Sequence, residues 1–194
     1  MFNNLKGLLL AITMLTAVPA MASTEDYGTL LSGSYQPTET FASLSVTGSG
    51  SVYNFTLTSF DLNSIFTTGA FIGAIAVNTD PALTPVVSNV VGGAPVTVSN
   101  GGGPTGQWEF RFDLTDKQAR LTSGETVSFT ATFANPVAFA GDEFALHVQG
   151  LTDAQGGSAW YVNSTSPVPE PESYAMMLAG LGLMGFVARR RKNA

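Results

Sequence analysis

Gln107-Trp108-Glu109-Phe110-Arg111-Phe112-Asp113-Leu114 alternates apolar and polar side chains without a break. A strand sends successive side chains to opposite faces, so Trp108, Phe110, Phe112 and Leu114 share one face and Glu109, Arg111 and Asp113 the other. The pattern predicts a half-buried strand with one wet face. Thr126-Val-Ser-Phe-Thr-Ala-Thr-Phe133 repeats it, with Val127, Phe129, Ala131 and Phe133 inward and hydroxyls outward. Working outward, Thr-, Ser-, Val- and Phe-rich runs predict further strands near 29–35, 41–47, 51–59, 69–78, 86–90, 95–99, 143–150 and 158–162. Turn residues separate them, including Gly48-Ser-Gly50, Gly92-Gly93, Asn100-Gly-Gly-Gly-Pro104, Ser123-Gly124 and Gly156-Gly157. Asp116 to Leu121 reads as one helical turn. About eight to ten short strands in a body of this size predict an all-β fold, an antiparallel β-sandwich or jelly roll.

The two ends do not belong to that body. Lys6 precedes an apolar run from Leu8 to Val18, followed by Ala20-Met21-Ala22. A cation, a short apolar segment and small residues flanking Met21 make a signal peptide, residues 1–22, cut after Ala22 by signal peptidase. At the other end, Pro167-Val168-Pro169-Glu170-Pro171-Glu172 leads through Tyr174 into an apolar run from Ala175 to Ala188, closed by Arg189-Arg190-Arg191-Lys192. The prolines keep the approach extended. As a helix, the run from Ala175 to Ala188 spans only about 21 Å, short of a hydrocarbon core of about 30 Å. Snorkelling arginines and an interfacial Tyr174 extend its reach, and the basic cluster marks the cytoplasmic side. The expected organisation is therefore a signal helix (1–22), a β ectodomain (23–166) and a sorting segment with a transmembrane helix (167–194).

Val168-Pro169-Glu170-Pro171, the short Leu/Gly/Met-rich helix and Ala188-Arg-Arg-Arg-Lys192 together resemble the PEP-CTERM protein-sorting domain, a tail also named after ice-binding proteins that carry it. The resemblance implies a Gram-negative, exopolysaccharide-producing bacterium and processing by an exosortase near the Pro-Glu-Pro motif. It implies transient residence in the inner membrane, then delivery to the envelope surface or the extracellular matrix. Ser51-Val-Tyr-Asn-Phe-Thr-Leu57 and Phe144-Ala-Leu-His-Val-Gln-Gly150 are similar to small ectodomains bearing such tails, which implies a surface or matrix protein. A shared address transfers no activity.

Charge and chemistry narrow what the body does. From Ser23 to Glu172 three bases face all fourteen acids, a net of −11, which repels phosphate backbones and argues against nucleic acid as a partner. There is no cysteine, hence no disulfide and no thiolate nucleophile or metal ligand. His147 is the single histidine, so no two-histidine metal motif exists, and alternation with Phe144, Leu146 and Val148 places it on an outward face as an ordinary exposed side chain. Glu109, Asp113, Asp142 and Glu143 are the carboxylates a glycoside hydrolase would need, but their spacing pairs none of them. Asn100-Gly-Gly-Gly-Pro-Thr-Gly106 lacks the lysine of a phosphate-binding loop and reads as a hairpin turn. Trp108 falls in register with core phenylalanines, whereas one of Trp160 and Tyr161 must face outward, making this pair the candidate sugar-stacking platform. The sequence thus predicts a non-enzymatic exported protein with no metal or cofactor. A carbohydrate- or calcium-binding module, with exopolysaccharide as a partner, is the alternative, and a glycoside hydrolase is the last choice.

Overall fold

The computed structural model describes residues 21–79, 84–104, 108–116, 119–139 and 143–164. Ala20, Asp142 and the whole sorting segment from 167 onward, including Val168 to Pro171 and Arg189 to Lys192, lie outside the described residues. Among the described residues no helix is long and apolar enough to cross a membrane.

Ten strands form: β1 (Met21–Ser32), β2 (Ala42–Ser49), β3 (Val52–Ser59), β4 (Phe71–Val77), β5 (Val86–Gly92), β6 (Thr97–Asn100), β7 (Phe110–Asp113), β8 (Thr126–Thr132), β9 (Phe144–Gln149) and β10 (Ser158–Asn163). All pair antiparallel in a single sheet of order β5-β8-β3-β2-β1-β10-β9-β4-β7-β6. The sheet curls until its two ends, β5 and β6, approach one another. The expected all-β antiparallel class is present, but not as two separate sheets, because the β1–β10 ladder joins the halves into a near-barrel. One wet and one dry face per strand is common to both architectures, so the alternation that predicts strands does not separate them.

The inner face is aromatic. Phe55 of β3 stacks on Phe129 of the neighbouring β8, with centroids 5.1 Å apart. It also meets Phe112 of β7 at 5.2 Å and Phe144 of β9 at 5.7 Å. These contacts cross between the two halves of the curled sheet and hold it closed. Truncating one such ring costs about 3–5 kcal/mol in a packed core. Two details depart from the sequence reading. Thr115 bridges Arg120 and the Asp116 amide donates to the Ala119 carbonyl, an antiparallel pairing instead of the expected helical hydrogen bonds. Helix instead forms at Leu62–Ile65 (α1), where Asp61 caps the Ser64 amide and Leu62 is buried.

Candidate functional site

The outer face of β10-β9-β4-β7 carries a cross-strand row that the fold assembles from distant sequence. Trp160 pairs with His147, His147 with Ala74, and Ala74 with Asp113. The middle strand is the small one. A register shift between Ile72 and Ala74 marks a bulge at Gly73, leaving Gly73 and Ala74 between the larger side chains of β9 and β7. Ile72, Ile75 and Val77 of the same strand point into the core cluster. Small residues flanked by large ones make a recess of about 260 Å³, with Gly73 and Ala74 as its floor.

One wall is aromatic. His147 and Trp160 lie stacked, with ring centroids 4.3 Å apart and planes 5° from parallel. Gln149 Nε2 donates to His147 Nδ1 at 3.2 Å, which places the ring proton on Nε2. Burial lowers the His147 pKa to about 4; the nearby Arg111 cation adds to the fall and Asp113 partly offsets it. The imidazole is therefore neutral at neutral pH. The facing wall is polar. Arg111 Nε donates to Asp113 Oδ1 at 2.6 Å, Ser99 Oγ donates to Asp113 Oδ2, and an Arg111 terminal nitrogen donates to the Gly101 carbonyl at 3.1 Å. Gly102, at φ +81°, leaves the guanidinium room that any Cβ would take.

The predicted site residues separate on this geometry. Trp160 is half-buried on the outer face, as alternation allows. Tyr161 is not part of a platform: it is fully buried, and its hydroxyl donates to the Tyr35 carbonyl at 2.8 Å. Ala159 and Tyr161 take the inward positions of β10, which sends Trp160 outward. His147 is on the outer face, but half-buried and stacked instead of simply exposed. Trp108 is also half-buried, lying against Gly103 of the β6–β7 loop. Of the candidate carboxylates among the described residues, only Asp113 lines the recess; Glu109 is exposed at the surface. Ala22 pairs with Thr47 at the start of β1. Among the described residues no group of three or more His, Asp or Glu could hold a metal ion. Arg111 and Gln149 line the recess without having been singled out by the sequence, where Arg111 belongs simply to the wet face of its strand. The signal that could have found them is the glycine run at 101–103, whose missing side chains admit both Arg111 and Trp108.

Fold and recess define an all-β body with a small polar-aromatic recess on its outer face. The segment that follows identifies its handling: residues 167–192 match the PEP-CTERM protein-sorting motif. The chain thus carries a PEP-CTERM sorting motif, the mark of an exported protein sorted by way of an exosortase to the cell envelope. No curated protein matches the chain.

Proposed function

We propose that this chain is a non-enzymatic surface or extracellular-matrix protein of an exopolysaccharide-producing bacterium. Signal peptidase removes residues 1–22, the tail holds the folded body briefly at the inner membrane, and the exosortase releases it to the envelope or matrix. The observation that carries this reading is the sorting motif at 167–192, placed directly after a β body whose last strand ends at Asn163. The acidity of the body, where three bases face twelve acids between Ser23 and Ser166 for a net of −9, supports it by keeping copies apart in a crowded surface layer. The anchor assigned to 175–188 is short, which suits temporary residence.

Replacing Pro169, Glu170 and Pro171 together with alanine tests the reading in the native host. The expected result is a longer species that accumulates in the membrane fraction, seen by immunoblot, with loss of the released form. Unchanged processing and release would contradict it.

A further inference from the structure

We propose that the recess between the His147–Trp160 stack and the Arg111–Asp113 pair is a binding site for one neutral pyranose unit of a polysaccharide. The two walls supply the two kinds of contact a sugar ring needs. Its faces carry C–H groups that pack on an aromatic surface, and here His147 and Trp160, stacked in parallel at 4.3 Å, line the recess together. Its rim carries hydroxyls that both donate and accept. A guanidinium beside a carboxylate offers donors and acceptors side by side, and Arg111 and Asp113 are fixed in that arrangement by Ser99 and by the Gly101 carbonyl. Gln149 and Thr115 add further polar atoms to the lining.

Size and charge narrow the ligand further. A volume of about 260 Å³ falls just below the roughly 300–1,000 Å³ typical of sites that bury a drug-sized molecule, which fits one ring held within a longer polymer. Arg111 is already neutralised by Asp113, and the surrounding body is strongly acidic. Anionic polysaccharides are repelled, so the class is a neutral one. Pre-formation also favours binding, since the hydrogen bonds that fix Arg111 and Asp113 exist before any ligand arrives. The site deepens the surface or matrix reading, because glycan is what a matrix protein would meet. The binding itself can be measured apart from sorting.

The test uses the full chain, purified in a zwitterionic detergent that contains no sugar, and titrated with a neutral β-glucan, a neutral galactomannan and anionic alginate. With Trp108→Phe as background, Trp160 is the one remaining tryptophan, and its fluorescence reports the recess directly; Trp160→Ala, which lacks that signal, is titrated by isothermal calorimetry beside its parent. The expected result is saturable binding of at least one neutral polymer, weakened at least tenfold by Trp160→Ala and by Arg111→Lys, with melting temperatures retained. Arg111→Lys keeps the charge but loses the planar fork, so it decides the matter if Trp160→Ala fails to fold. Binding to neither neutral polymer, equal binding by Arg111→Lys, or tighter binding of alginate would overturn the site. The same two variants should leave tail processing unchanged, so failure here and failure of the sorting reading are told apart.

Discussion

His147 shows how one side chain couples the recess to stability. Its pKa is lowered to about 4, from the 6.5 of a free histidine, by burial and by the Arg111 cation, with Asp113 opposing. Between those two values the unfolded chain binds a proton that the folded chain refuses. Stability from this group is therefore complete above about pH 6.5 and drains away as pH falls toward 4. After an allowance for its partial solvent access, the loss is about 1–2 kcal/mol. His147→Gln removes the titration while keeping a flat polar side chain beside Trp160. Urea denaturation at pH 7 and pH 4 should show a smaller pH-dependent loss in His147→Gln than in the parent chain, by about that amount. Identical losses in the two chains would show that the stacked imidazole is not held neutral.

At the scale of elements, period-two alternation carries most of the information. β7 and β8 fall where Phe110, Phe112, Phe129 and Ala131 alternate with polar residues, and each of these is buried. The recess was less legible, because it depends on β4 lying between β9 and β7, an order that no local pattern encodes. Trp160 and His147 could be placed on outward faces from sequence, but their stacking depends on the β9–β10 register. The edge strand β5 gives a contrast that measures which residues matter. Val91 is 69% exposed, so Val91→Lys should change stability by no more than about 0.5 kcal/mol while blunting an apolar edge. Gly92, next in sequence, sits at φ +126° and pairs with Val127, where a Cβ would collide with the Thr126 carbonyl. Gly92→Ala should cost about 1–3 kcal/mol, a fall in melting temperature of several degrees. If thermal melts rank the two substitutions in the opposite order, the β5–β8 pairing is wrong.

For the whole molecule, the order of the sheet ties the two terminal segments together. β1 and β10 are central neighbours, with Tyr27 opposite Asn163, and the Ser164 amide donates to the Asp26 carbonyl at 2.7 Å. From that point the N-terminal part of β1 runs on alone against β2, toward the same pole from which the chain leaves for its tail. An N-terminus at Ser23 would lie about 10 Å along the strand from Asp26, so the proposed signal cleavage and the sorting tail would fall at one end of the body. Ten residues, the number from 165 to 174, reach at most about 35 Å, so an anchored tail of the kind proposed would hold that end near the membrane. Cleavage after Ala22 removes only the Met21 and Ala22 positions of the β1–β2 ladder. A start at Gly28 would also remove Tyr27, which is fully buried with its hydroxyl on the Glu25 carboxylate at 3.0 Å. Loss of one buried aromatic costs about 3–5 kcal/mol, and a domain of this size shifts by about 2–4 °C per kcal/mol. The chain beginning at Ser23 should therefore melt within about 5 °C of one beginning at Met21. The chain beginning at Gly28 should melt about 10 °C lower or more, or fail to fold. Circular dichroism on the three chains decides it, and equal melting of the Ser23 and Gly28 forms would remove the N-terminal half of β1 from the structural core.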